Sequence, residues 1–123
     1  MLVVFSLVDH CHCNWLVDTG AGYNILNVKV FQQLNIKPNL SDTNLRLITA
    51  NGKDLNILGE TEIDIVIAGC HFSISVVVAD LGSLDGILGM KFLSDGECII
   101  DTFHGTLTVN NFEIMMHKNE VVE

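Results

Sequence analysis

Basic residues are scarce in this chain: 15 acidic side chains stand against 6 Lys and Arg, a formal net charge of −9. No Lys/Arg cluster occurs, so a nucleic-acid backbone would be repelled, and no nucleic-acid partner is expected. No stretch approaches the ~18 apolar residues of a membrane helix, and no membrane partner is expected either. There is 1 proline in 123 residues, with no low-complexity tract, composition shift or obvious repeat. That argues for one compact unit without linkers. The start, MLVVFSLVDHCHC, lacks a basic n-region, its apolar run ends at Asp9, and no small-residue cleavage site follows. It reads as a first β-strand rather than a signal peptide. Without a secretory signal the 4 cysteines are expected as thiols, in an intracellular, cytoplasmic setting. The run His10, Cys11, His12, Cys13, with Cys70 and His71 further on, contains no C-x-x-C pair. Neighbours on a strand point to opposite faces and cannot all converge on one ion, so no metal and no cofactor are expected, and the run reads as a hairpin turn.

What the chain does hold is apolar material, 49% of its residues, enough for a real core. β-Branched and apolar runs cover residues 2–8, 13–17, 45–49, 55–58, 61–67, 72–79, 98–100, 106–109 and 112–116. Several are bounded by turn chemistry: Asn51-Gly52, Ala68-Gly69 and Asn110-Asn111. Two short helices fit between them. Asn27 can cap VKVFQQL, and Gly89 can lead into MKFLSD before Gly96 ends it. Short strands at close spacing with little helix predict an all-β barrel or sandwich. The domain is expected over residues 1–116, followed by a polar tail at 117–123.

One stretch stands out, WLVDTGAGYNIL at residues 15–26. It sets a carboxylate, Asp18, between an apolar strand and the small residues Gly20, Ala21 and Gly22. A carboxylate among apolar neighbours is costly unless solvated, hydrogen-bonded or paired. Asp-Thr-Gly-Ala after an apolar strand resembles the active-site loop of the aspartic proteases. A second block, DGILGMKFL at 85–93, is similar to the apolar-apolar-Gly motif that lies beneath that loop in the family and leads into its helix. The ending CIIDTFHGTLTVNNFEI resembles the closing hairpin of proteases encoded by long-terminal-repeat retroelements. The chain thus resembles the retropepsin-like aspartic proteases, in their retrotransposon polyprotein form.

The resemblance implies a retropepsin-like closed β-barrel, half of an acid protease, with one or two short helices. It implies aspartic endopeptidase activity with Asp18 as the catalytic carboxylate and Thr19, Gly20 and Ala21 completing the loop. The Thr19 hydroxyl would bond across two such loops. The segment RLITANGKDLNIL is the natural flap, and Tyr23, Ile25, Ile87, Ala50, Asn51 and Gly52 would meet an extended peptide or polyprotein substrate. Two carboxylates sharing a proton supply base and acid together, yet the chain holds one such loop. Asp101-Thr102 is followed by Phe103 instead of glycine and reads as a strand end and turn. Asp85, beside the second motif, reads as a turn or pocket rim. The second Asp18 must therefore come from a second copy, which implies a homodimer. The sequence departs from many retroviral members at Gly22 and Met90, where those carry an Asp and Arg that pair. Lys91 stands where retroelement sequences usually have Asp, in the first turn of the expected helix. The alternative reading is a catalytically inactive retropepsin-fold dimerisation or peptide-binding module. The domain's cellular version in ubiquitin-shuttle proteins also stays open.

Overall fold

Two-residue turns organise the sheets. The computed structural model describes residues 2–49 and 51–118. Strands β1 (Leu2–Val8) and β2 (Cys11–Val17) pair antiparallel through the turn Asp9-His10, whose φ angles are 47° and 65°. Left-handed backbone at both turn positions is the type I′ geometry, whose twist matches that of the paired strands. After the loop at 18–24 come a three-residue strand, β3 (Ile25–Asn27), and helix α1 (Val28–Gln33). The Asn27 side chain caps α1, its Oδ1 accepting the Lys29 N–H at 3.1 Å. The long hairpin of β4 (Ile57–Ile67) and β5 (Cys70–Ala79) turns at Ala68-Gly69, with φ of 48° and 82°. Then come β6 (Gly86–Leu88) and helix α2 (Met90–Asp95). Strands β7 (Ile99–Asp101), β8 (Thr106–Val109) and β9 (Phe112–Met115) make a separate antiparallel sheet, with its β8–β9 turn at Asn110-Asn111. β10 (His117–Lys118), the start of the expected polar tail, pairs with Val3 and Leu2.

The larger sheet closes on itself. Its order is β1-β2-β6-β3-β5-β4, and β4 returns to pair with β1 through Val8↔Ile65 and Leu7↔Val66. The result is a closed six-stranded barrel with two short helices, the all-β architecture that the resemblance to retropepsin-like proteases implied. Trp15, Leu26, Ile65, Val78 and Leu88, each fully buried, fill its interior. The Trp15 indole N–H donates to the buried Ser6 hydroxyl at 2.6 Å, so the one polar atom of that ring is satisfied in the core. β6 is the hinge of this topology. It runs parallel to β2 and antiparallel to β3, lying between the strand that enters the 18–24 loop and the strand that leaves it.

Some expectations shift. Runs 55–58 and 61–67 join into the single strand β4, which absorbs the break as a bulge between Ile57 and Gly59. The run 45–49 makes no strand. Only Ile48 bridges, to Asp54, because a surface ribbon with no sheet beneath it has little to hold it extended. The His/Cys run does not converge. His10 occupies the turn, His12 points outward against Phe5 with ring centroids 5.1 Å apart, and Cys13 is buried. Burial, with Asp85 and Cys11 adding to it, pushes the Cys13 thiol well above its ordinary value. All four cysteines are thiols.

Candidate active site

Asp18 is the first residue past β2, and its backbone is anchored by the strand beside it. The Asp18 N–H donates to the Leu88 carbonyl at 3.0 Å, extending the parallel β2–β6 ladder by one rung. The chain then folds back at once. The Ala21 N–H donates to the Asp18 carbonyl at 3.2 Å, and the Gly20 N–H donates to Asp18 Oδ1 at 2.8 Å. The carboxylate is half-buried, while Thr19, Gly20 and Gly22 are exposed. Among the described residues the Thr19 hydroxyl makes no hydrogen bond. A fixed backbone, one oriented carboxylate oxygen and an open surface in front are what a group needs to meet an external reactant.

The second motif lies directly beneath. Gly86 packs flat on the Trp15 ring: a Cβ there would fall 2.6 Å and 2.7 Å from two ring carbons. At Gly89 a Cβ would overlap the carbonyl oxygens of Ala21 and Tyr23. Both positions therefore need glycine for close approach. The start of α2 is stitched to the outgoing limb of the loop. The Met90 N–H donates to the Ala21 carbonyl at 2.7 Å and the Lys91 N–H to the Gly22 carbonyl at 3.2 Å.

Asn24 is the residue that sequence reasoning passed over. It is 2% exposed. Its Oδ1 accepts the Gly89 N–H at 3.0 Å and the Phe92 N–H at 3.3 Å, and its Nδ2 donates to the Ser75 carbonyl at 3.1 Å. Its own carbonyl accepts the Val77 N–H at 2.9 Å. One side chain thus caps α2 from outside the helix and ties it to β5 and to the loop carrying Asp18. The available signal was a polar residue set against the apolar pair Ile25-Leu26.

The other expected site residues divide by position. Ile25 and Ile87 are direct cross-strand partners, and β-sheet packing leaves 5% of Ile25 exposed. Tyr23 is 38% exposed beside them. Asn51 and Gly52 are exposed in a separate hairpin, and Ala50 lies outside the described residues. That hairpin closes through Thr49 N–H to the Lys53 carbonyl at 2.8 Å and Leu55 N–H to the Leu47 carbonyl at 2.9 Å. The Arg46 guanidinium pairs with both Asp54 carboxylate oxygens at 3.0 and 2.9 Å. Among the described residues no hydrogen bond joins the hairpin to residues 18–23. Asp85 directly precedes β6, and its Oδ2 accepts the Asn14 N–H at 3.0 Å. Asp101 ends β7, where its Oδ1 accepts the Phe103 and His104 N–H groups at 3.0 Å each. Two concavities of the single chain, about 300 and 410 Å³, lie on its flanks, and residues 18–22 line neither.

Residues 6–95, well over half of the chain, match the family described as "gag-polyprotein putative aspartyl protease". The chain belongs to this family. Both specific blocks of the aspartyl protease family, DTGA and GILG, fall inside the matched span. The fold is shared with the retroviral protease-like domain of Ddi1 from Leishmania major, at 21% identity and a TM-score of 0.81, over 99% of this chain and 98% of that one. It is shared also with the EIAV protease complexed with the inhibitor HBY-793, at 24% identity and a TM-score of 0.63, over 76% of this chain and 85% of that one. At such identities the likeness shows the retropepsin-like fold alone.

Proposed function

We propose that this aspartyl protease family member is half of an aspartic endopeptidase. Two copies pair about a two-fold axis, and their Asp18 carboxylates together hydrolyse a peptide bond of an extended substrate, such as a retroelement polyprotein. The observation that carries the reading is Asp18 itself: its backbone is held by Leu88, one oxygen is bound by Gly20, and its carboxylate stands at an open surface. The Thr19 hydroxyl, without a hydrogen bond among the described residues, supports a contact made by a second copy. Family membership supports the reaction class.

Two carboxylates a few ångströms apart cannot both ionise easily, so the pair shares one proton. The ionised Asp18 takes a proton from water, whose oxygen forms a bond to the peptide carbonyl carbon. The protonated Asp18 gives its proton to the carbonyl oxygen. The resulting diol collapses as the C–N bond breaks: the carboxyl that took the water proton gives it to the amine nitrogen, and the other carboxylate takes a proton back from a diol hydroxyl. The small residues after Asp18 let the substrate backbone approach. The 47–55 hairpin closes over it and supplies backbone hydrogen bonds from Ala50, Asn51 and Gly52. Tyr23, Ile25 and Ile87 set an apolar preference beside the scissile bond.

A second reading, a peptide-binding or dimerisation module without turnover, is favoured by one observation. The solved domain that shares the fold over 99% of this chain is described as protease-like. Incubation with an unfolded protein substrate in mild acid, with and without pepstatin, separates the two. We expect pepstatin-sensitive cleavage that Asp18→Asn abolishes at unchanged stability, since the amide is nearly isosteric but cannot act as base. Each copy carries −9, so assembly should strengthen toward the sequence pI of 4.7 and, at neutral pH, with added salt. The rate should fall faster than linearly on dilution, in step with the dimer seen by ultracentrifugation. Full activity from a monomer, or from the Asn variant, overturns the proposal, whereas a dimer that never cleaves supports the module.

A further inference from the structure

The outer edge of β4 has a gap. At Glu60 the edge is closed by Ser41, through Ser41 N–H to the Glu60 carbonyl at 2.8 Å and Glu60 N–H to the Ser41 carbonyl at 2.9 Å. At Ile65 and Val66 it is closed by β1. Backbone groups alternate between the two edges of a strand, so Glu62, two residues past Glu60, also directs its N–H and C=O outward. Among the described residues that N–H has no partner, and that carbonyl receives only a long 3.5 Å bond from the Thr61 hydroxyl. An open edge of this kind accepts an added extended chain.

Side chains shape the gap into a slot of about 300 Å³. Its floor is apolar, made of Val8, Leu34 and Ile63, which are 1%, 3% and 5% exposed. Its lip carries Pro38 and Ile36, and Ile36 is 82% exposed, a large aliphatic side chain left almost wholly in water. Asp9, Glu62 and Asp64 also line it, and Glu62 borders the second concavity as well. Asp9 Oδ2 is engaged by the Asn35 and Ile36 N–H groups at 2.8 and 3.3 Å, which orders the lip. The two ion pairs among the described residues lie elsewhere, so Glu62 and Asp64 have no cationic partner there. The nearby Lys37 ammonium is turned back onto the Leu34 carbonyl at 3.0 Å.

We propose that this slot docks a short extended segment of a partner protein, presenting a bulky apolar side chain flanked by Lys or Arg. The apolar residue covers Ile36 and the floor, the backbone adds to the edge at Glu62, and the cations meet Glu62 and Asp64. Charge argues against the other occupants. A second copy has no two Lys or Arg within six residues of each other to flank an apolar side chain, and the chain's own residues 119–123, NEVVE, bring two side-chain carboxylates and no cation. The docking is independent of the hydrolytic reading.

The test is amide chemical-shift mapping at neutral pH on the full chain carrying Asp18→Asn, which prevents cleavage of the probe. The probe is the peptide Arg-Lys-Leu-Phe-Lys-Arg, compared with Arg-Lys-Gly-Ser-Lys-Arg. Saturable shifts are expected at residues 8–9, 34–38 and 62–64. Affinity should drop about fivefold or more for the Gly-Ser peptide, and by a similar factor in the surface variant Glu62→Gln/Asp64→Asn. Ile36→Ser should weaken the Leu-Phe peptide and leave the Gly-Ser peptide unchanged. Equal binding of both peptides would reduce the site to general charge attraction and overturn the proposal. So would shifts confined to residues 18–22 and 47–55, or the absence of saturable binding.

Discussion

Replacing Asn24 with alanine strikes the point where the loop, α2 and β5 are joined. The substitution removes the acceptor of two buried N–H groups, Gly89 and Phe92, and the donor to the Ser75 carbonyl. A buried polar group left without a partner costs about 1–3 kcal/mol. Ser75 is half-buried and lines the concavity of about 410 Å³, so two groups carry most of the penalty. The expected loss is about 2–5 kcal/mol, a large share of the roughly 5–15 kcal/mol that holds an ordinary domain together. In a thermal melt this amounts to a drop of roughly 8–20 °C. Urea unfolding should show the loss as a lower midpoint with an unchanged slope. Hydrogen exchange supplies the local readout: the Gly89 and Phe92 amides should lose protection more than those in the middle of β4. The control is Asn44→Ala at an exposed loop position, which should stay within about 0.5 kcal/mol of the parent. A loss below about 1 kcal/mol with both amides still protected would refute the reasoning, because those N–H groups would then have another partner.

Three further outcomes follow from the same geometry. Gly86→Ala drives a methyl group into the Trp15 ring and should destabilise by about 1–3 kcal/mol or more; the chain has 1 Trp, so its fluorescence should shift with the repacking, and an unchanged spectrum and midpoint would contradict the close approach. Lys91→Asp should stabilise by about 0.3–1 kcal/mol in low salt and less in high salt, because the first turn of α2 carries no acidic residue. The gain comes from the helix dipole rather than a new cap, since the Lys91 N–H is already bound to Gly22; an unchanged urea midpoint would count against it. The His104 backbone N–H, followed by its ring and the Phe103 N–H, holds the Asp101 carboxyl below its ordinary value. A carboxyl depressed on folding adds stability that is fully present above its unfolded pKa and is lost as pH falls through the lower folded one. NMR titration should therefore place Asp101 below the same residue in an unstructured peptide, and the stability advantage over Asp101→Asn should vanish in strong acid.

How much was legible in advance depended on how far apart the interacting residues lie. Turn chemistry announced two of the two-residue hairpins, Ala68-Gly69 and Asn110-Asn111, because left-handed backbone is a local demand. Asn27 and Gly96 marked helix ends because capping is local too: the Asn27 side chain accepts the Lys29 N–H, and the Gly96 N–H turns back to the Phe92 carbonyl. DTGA and GILG were readable because small residues are required wherever backbone meets backbone or ring. The three-residue strands β3 and β6 escaped notice, since a segment that short shows no period. The run at 45–49 had the composition of a strand and did not become one, because pairing needs a neighbour that composition does not reveal.

From its sequence alone, then, this chain was legible as acidic and all-β, with one Asp-Thr-Gly-Ala loop and a second glycine motif, because composition, turn residues and short motifs are local properties of a chain. Closure of the barrel decided the rest. It brought Leu88 beside Asp18 to hold its backbone. It brought Ser75, Gly89 and Phe92, 51 to 68 positions away, around the Asn24 amide. Among the described residues it also left the outer edge of β4 open at Glu62, between Ser41 and β1. Such partners are chosen by which strands meet when the sheet closes, and no local pattern in the chain encodes that choice.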